Sequence, residues 1–296
     1  MSKASAGAQT EKSRETRISC VMLSYNSAKY LDHSIGALLA AFDHSAAEGG
    51  PGHHDEIWII DNGSKDGSVE MLKAWREKEP DRVRPIFFGG NTGTTFSRNV
   101  ALRALTGKYV VVIDSDVVTI PPGTFETLIA RLEEDPRNGM VVPMLTYPDG
   151  RFQLSTDVFP TLPRKVQRYL GLKAMERAHD KNAPPTEAHL VDYAISAFWM
   201  LSREAVEATG VFDEAIFYSP EDVDYCVRVW QSGYRIVYEP AATVVHDAQE
   251  ISRGLPIKKS TFSHAKGLAY LFRKHGYVLS RKGLYGRLGR PDSDTL

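Results

Sequence analysis

An unbroken apolar run, ISCVML at 18–23, is followed by Leu31, Ile35, Leu38, Leu39 and Phe42, spaced to fall on one helical face. The pattern predicts a strand and then a helix. The unit recurs. EIWII at 56–60, RPIFF at 84–88 and YVVVI at 109–113 read as strands. GSVEMLKAWREKE, with Val69, Leu72 and Trp75 in register, and TTFSRNVALRALTG, closed by Gly107, read as helices. DHSAAEGGPGHH at 43–54 reads as a loop on its Gly, Pro and His content, and DNGSKDGS at 61–68 as a turn. Strands alternating with helices predict a mostly parallel sheet covered on both faces. Ligands of such sheets bind beyond the carboxyl ends of the strands. SYNS (24–27), DNGSKDG (61–67), GGNTGTTFSRN (89–99) and DSD (114–116) stand there and are expected to converge on one crevice.

Beyond residue 140 the alternation loosens. MVVPML and YAISAFWML read as strands, separated by a proline-bearing stretch (148–190) with a helix near PRKVQRYLGLKAMERA. EDVDYCVRVWQSG places Val223, Cys226, Val227 and Trp230 at helical spacing with Gly233 as stop, and YRIVYEPAATVVHD reads as two short strands. No internal repeat is visible. From Pro256 to Arg290 there are nine Lys and Arg and no Asp or Glu.

Composition narrows the classes. With 296 residues, 42% hydrophobic and 25% charged, the chain suits one large domain, or one plus an appendage. The balance of 36 basic against 37 acidic residues gives no global signature of a nucleic-acid binder. Cys20 and Cys226 both fall in segments read as buried, which points away from a disulfide framework and toward a reducing, cytoplasmic setting. Residues 1–16 are polar and small and are expected to form a disordered leader. AISAFWML is among the longest apolar runs and is strand-sized, far short of the roughly 20 residues of a membrane span. The cationic stretch suggests peripheral contact with an anionic membrane at the inner face, with Tyr270, Leu271 and Phe272 adding shallow burial. A basic helix packed on the domain with its charges in water is the other reading.

Asp-Ser-Asp occurs twice, at 114–116 and 292–294, and context separates the copies. Asp114 and Asp116 leave a buried strand at the carboxyl edge of the sheet, where two carboxylates can aim at one point and hold Mg²⁺ or Mn²⁺ against phosphate oxygens. Capping of the next turn is the other reading of that pair. Asp292 and Asp294 follow a proline in a polar terminus and read as solvated tail. GGNTGTTFSRN is not a Walker A loop, and no G-x-G-x-x-G follows the first strand. No H-E-x-x-H or paired C-x-x-C supports zinc, and the His-rich stretch holding His44, His53 and His54 reads as solvated loop.

The order of motifs resembles a known family. VMLSYNSAKYL, IWIIDNGSKDGS, GGNTGTTFSRNVALRALTGKYVVVIDSD, GVFDEAIFYSPEDVDYCVRVWQSGYRIVYEP and VVHD are similar to the successive blocks of family 2 glycosyltransferases with the GT-A fold, nearest to the bacterial rhamnosyltransferase-like branch. The resemblance covers about residues 17 to 250 and implies an α/β GT-A domain there, with a Rossmann-like, mostly parallel central sheet flanked by helices. Residues 251–296 would form a basic helical extension and tail. It implies inverting transfer from a nucleotide-diphosphate sugar to a hydroxyl on a glycan, glycolipid or small molecule, lipid-linked and polysaccharide acceptors included. The transferred group would be a hexose or rhamnose.

Residue by residue, the resemblance implies that Ser24, Tyr25 and Asn26 line the base and ribose. Asp61 would accept hydrogen bonds from the nucleotide, and Arg98 would face the phosphates or sugar. Asn91 and Ser115 join this donor site. Asp114 and Asp116 would hold a divalent cation, Mn²⁺ or Mg²⁺, on the diphosphate, with His246 completing its coordination. Asp222 of the Glu221–Asp222 pair would be the catalytic base. Taken alone, an Asp at a helix start reads equally as an N-cap, and a lone His as a satisfied strand end. Two positions depart from the family pattern: Ser196-Ala197 stands for Gly-Ala, and Ser202 for an Arg. Both bear on which sugar is carried. A nucleotidyltransferase would also use paired acids and Mg²⁺ but needs a basic triphosphate loop. A sugar-binding module that has lost turnover is the rival outside enzymes.

Overall fold

The computed structural model describes residues 15–49, 53–167, 184–248 and 259–290. The first half is the expected alternation: β1 (Glu15–Ser24), α1 (Ala28–Gly49), β2 (His53–Asp61), α2 (Ser68–Lys78), β3 (Val83–Phe87), α3 (Thr94–Leu102) and β4 (Tyr109–Asp114). There follow β5 (Val117–Thr119), α4 (Thr124–Glu134), β6 (Asn138–Thr146), and the short β7 (Phe152–Gln153) and β8 (Thr156–Asp157). After a helical stretch at 162–167 come β9 (His189–Leu190), β10 (Tyr193–Ala194), β11 (Phe198–Ser202), α5 (Arg203–Thr209), α6 (Glu221–Gln231) and β12 (Arg235–His246). The basic segment forms α7 (Lys259–His275) and α8 (Lys282–Leu288).

The main sheet runs β3-β2-β1-β4-β11-β6-β12-β5. β1 pairs in parallel with both β2 and β4, β2 with β3, and β6 with β12, while β11 lies antiparallel between β4 and β6. The sheet is therefore mixed, and the half that carries the alternating pattern, β3-β2-β1-β4, is parallel throughout. β4 shows why its residues are apolar throughout. Val111 and Ile113 point into a core shared with α1, α2 and α4, and Val110 and Val112 into one shared with α3, α5 and α6. A strand buried on both faces has no polar side to alternate with.

Four sequence-based boundaries are corrected. The loop expected at 43–54 is mostly helix and strand, because α1 continues to Gly49 and β2 begins at His53. Buried Ser45 holds that last part of α1 to β1, its hydroxyl and carbonyl both accepting from Arg17. YAISAFWML is broken: β10 pairs with β8 in a separate two-stranded sheet, and β11 enters the main sheet. YRIVYEPAATVVHD forms one strand, β12, whose register against β6 shifts between Glu239 and Thr243 across Pro240. Of the expected leader, Glu15 and Thr16 already belong to β1; the rest lies outside the described residues.

The basic segment follows the reading of a helix packed on the domain, and the fifth correction is to the shallow membrane burial expected of Leu271 and Phe272. Leu271, Phe272, Tyr277, Leu284, Tyr285 and Leu288 are buried in the same core as α3, α5 and α6. Leu271 and Phe272 are thus unavailable for membrane burial, and the Tyr270 hydroxyl donates to Asp213. Lys274 reaches Asp213 and Asp224, and Arg290 lies 2.5 Å from buried Asp192. Among the described residues no helix is long and apolar enough to cross a membrane.

Candidate functional site

β4 ends at the sheet edge in Asp114, and the turn after it carries Ser115 and Asp116. β12 runs antiparallel to β5 and brings His246 opposite Val117, next to Asp116 although 130 residues away in sequence. His246 Nε2 lies 3.1 Å from Asp116 Oδ1, and Nδ1 lies 2.9 Å from Gln153 Oε1 on β7. An amide oxygen only accepts, so Nδ1 carries a proton and Nε2 is the nitrogen turned to the carboxylates. Burial lowers the pKa of His246, but the carboxylates of Asp116, Asp114 and Asp247 outweigh it and the net shift is upward.

Asp114, Asp116 and His246 each offer one ligand atom, all within 4.8 Å of one another. Two carboxylate oxygens and one imidazole nitrogen fixed by a second hydrogen bond suit Mn²⁺ or Mg²⁺. The resemblance implied these three ligands; nothing in the sequence pointed to Gln153, which sits on a two-residue strand in an irregular stretch.

Arg98 links this triad to the acidic pair. Its guanidinium is 2% exposed. One terminal nitrogen donates to Asp114 Oδ1 at 2.5 Å; the other donates to Ser196 Oγ at 2.9 Å and lies 3.8 Å from Glu221 Oε1. The unusual Ser196 thus anchors this arginine. Ser202, the other departure, N-caps α5 by accepting from the Ala205 N–H.

Glu221 and Asp222 open α6. Pro220 is the N-cap residue, with no side-chain cap, and Asp222 Oδ1 accepts from the adjacent Val223 N–H. Asp222 is therefore not the N-cap. Burial raises both carboxyls, and the Asp222 charge adds to burial at Glu221, which is pushed up to about 8. At Asp222 the Val223 N–H and the Lys165 charge oppose that rise. Burial and the neighbouring charge thus favour the protonated form of Glu221. The exposed Tyr218 feels Glu221, Asp114 and Arg98 together and stands at the same cleft, although the sequence gave it no distinguishing pattern.

The remaining expected residues divide. Tyr25 is exposed beside Ser24, with its ring free to meet a flat ligand. Asn26 adopts a left-handed φ of 52°, and its side chain accepts from Lys65 N, so it joins the β1 and β2 loops. Three further residues make bonds within their own loops. Asp61 is fully buried and committed to its own turn, accepting from the Gly63 and Ser64 N–H groups and from Ser24. Asn91 accepts from Asn62 and Gly93 N and shapes its loop. Ser115 donates to Ser27 and its carbonyl accepts from Ser34, which pins the turn to α1. Close backbone approach explains two glycines: a Cβ on Gly63 would meet Gly90 Cα at 2.6 Å, and one on Gly93 would meet the Phe217 carbonyl at 2.5 Å. His44 lies on α1 and His53 and His54 on β2, outside the metal-type cluster.

Residues 19–210 match the family described as Glycosyl transferase family 2. The chain belongs to this family. The chain is 25% identical over 276 residues to the N-acetylglucosaminyl-diphospho-decaprenol L-rhamnosyltransferase of Mycobacterium tuberculosis, covering 86% of this chain and 84% of that protein. It is also 33% identical over 156 residues to a pre-mycofactocin glycosyltransferase from the same organism, covering 52% of this chain and 30% of that one. Among solved structures, GalNAc-T7 with UDP, GalNAc and Mn²⁺ superposes with a TM-score of 0.63 at 16% identity, over 87% of this chain and 48% of the other. That likeness establishes the α/β GT-A architecture. The chain spans less than half the length of the pre-mycofactocin enzyme and of GalNAc-T7.

Proposed function

We propose that the protein transfers a sugar from a nucleotide-diphosphate donor to a hydroxyl acceptor with inversion at the anomeric carbon. The observation carrying this is the meeting of Asp114, Asp116 and His246 across the cleft from Glu221 and Asp222, with Arg98 between the two groups. Asp114, Asp116 and His246 would hold Mn²⁺ or Mg²⁺. When bound, such an ion offsets the negative charge that develops on the departing diphosphate. Tyr25 offers its ring to the base, and Tyr218 stands over the sugar region. Asp222 takes the proton of the acceptor hydroxyl as its oxygen forms the new bond to the anomeric carbon. The bond from that carbon to the diphosphate oxygen breaks on the opposite face, and the nucleoside diphosphate leaves. A single displacement with one base inverts the centre. Glu221, protonated, keeps a second negative charge from facing Asp222.

The full-length likeness to a decaprenol-linked rhamnosyltransferase supports a lipid-linked acceptor and a rhamnose-type donor. The test begins with thermal shifts against uridine, thymidine and guanosine diphosphate sugars, with and without Mn²⁺, since a bound ligand raises apparent stability. One nucleotide should stabilise the protein in a metal-dependent way, EDTA should abolish transfer, and Asp116→Asn should lose both effects. Asp292→Asn with Asp294→Asn, outside the described residues, should change neither. Undiminished turnover in chelator rejects the metal role. Metal-dependent donor binding without transfer to any acceptor would instead leave a binding module.

A further inference from the structure

Four apolar side chains stand in water beside the acidic pair. Leu162 and Val166 are one helical turn apart on the 162–167 helix, and Val278 and Leu279 form the tip between α7 and α8. The two pieces are joined, since Leu162 N–H donates to the Val278 carbonyl at 2.9 Å. Their exposures run from 41% to 70%, highest at Leu279, whereas Leu271, Phe272, Leu284 and Tyr285 on the adjoining helices are buried. Packing therefore leaves this tip outside deliberately placed core. A contiguous apolar patch on an otherwise polar surface marks a contact site.

Charge indicates what kind of contact. Lys266 and Arg273 lie seven residues apart on one stripe of α7, Lys282 follows the tip, and all three are exposed without a carboxylate partner among the described residues. The acids that neutralise other basic residues of this region, Asp192, Asp213 and Asp224, face inward to Arg290 and Lys274. The same helix connects the patch to the chemistry. Lys165, between Leu162 and Val166, acts electrostatically on Asp222 and on His264, and His264 lies 2.9 Å from Ser219, two residues before Glu221.

We propose that Leu162, Val166, Val278 and Leu279, ringed by Lys266, Arg273 and Lys282, seat the protein on an anionic lipid bilayer with the Glu221–Asp222 end of the cleft toward the lipid. The four side chains enter the headgroup boundary, and the cations meet lipid phosphates. This rests on the lipid-linked acceptor proposed above, because the base would then face hydroxyls held at the bilayer surface.

Flotation with vesicles of phosphatidylcholine alone, or with phosphatidylglycerol added, tests it on the full chain. Recovery with anionic vesicles should be at least tenfold higher and should fall with added salt. Leu279→Asp should abolish it, and Lys282→Glu and Arg273→Glu should each weaken it about fivefold or more. Tryptophan emission of Leu279→Trp should shift to the blue with anionic vesicles only. Equal recovery with both vesicles, or full recovery of Leu279→Asp, overturns the proposal. So does light scattering that shows Leu279→Asp breaking a dimer, which would make the patch a contact between copies. The metal-dependent thermal shift with donor should be unchanged in Leu279→Asp. Its absence from the unaltered protein would count against the transferase reading, separately from the flotation result.

Discussion

Glu221 and Asp222 are neighbours in the chain, and the proposed function gives them opposite tasks. Asp222→Asn keeps shape and hydrogen bonding but cannot take a proton, so transfer should fall about 10²- to 10⁴-fold with donor affinity nearly unchanged. Near-normal turnover would remove Asp222 from the mechanism. Glu221 gives a separate signature. Its folded-state pKa of about 8 exceeds that of an unfolded carboxyl, so the folded protein binds the extra proton and loses stability as pH rises from the ordinary carboxylate range through about 8. Glu221→Gln removes that dependence. In EDTA, urea denaturation should find the variant more stable than the parent at pH 8 by more than about 1 kcal/mol, the worth of one pKa unit, with a smaller difference at pH 5. An equal difference at both pH values would show that Glu221 is not held protonated. At this scale the sequence named the acids but not their states. Burial, the neighbouring carboxylate and Arg98 set those, and all three are properties of the fold.

The element that presents these acids, α6, is fixed from behind by α7. Asp224, fully buried one turn into α6, meets Arg228 at 3.0 Å, Lys274 at 2.7 Å and His275 at 2.8 Å. Gly267 lets α7 touch the chain before the acidic pair, since a Cβ there would lie 2.2 Å from the Ser219 carbonyl. Burial raises the Asp224 carboxyl, but His275, Lys274 and Arg228 outweigh it and lower it to about 2. Its stabilisation is then present above the unfolded carboxylate range and lost as pH falls toward about 2. Asp224→Ala leaves half-buried Arg228 and the Lys274 charge without their acid and should cost about 3–5 kcal/mol in chemical denaturation at pH 7, with most of that difference gone near pH 2. A loss below about 1 kcal/mol would mean that α7 is held by apolar contacts alone. Charge patterning in the sequence showed a basic segment and suggested a surface helix. It did not show that Lys274 and His275 meet Asp224, because that acid lies some fifty residues away.

Over the whole molecule the C-terminal helices belong to the core. Ending the chain at Leu255 would uncover the α6 face bearing Val223, Val227 and Trp230, and leave Asp192 and Asp224 without Arg290 and Lys274. That truncated chain should lose near-ultraviolet circular dichroism and bind a hydrophobic dye; a cooperative native-like unfolding transition would instead show that residues 15–248 fold alone. The sequence by itself determined the strand and helix alternation through β4, the crevice at the carboxyl ends of the strands, and the aspartates that leave β4. Each is a local consequence of apolar periodicity and of where a buried strand stops. It also carried the ordered motifs by which the family is recognised. Only the tertiary structure decided that β11 enters antiparallel, that β12 is one strand delivering His246 to Asp116, and that Ser196 steadies Arg98. It also turned Asp61 and Ser115 to local bonds and took Leu271 and Phe272 into the core while leaving Leu279 outside. Those outcomes depend on which distant surfaces meet, and hydrophobic periodicity records which face of an element is buried without recording its partner.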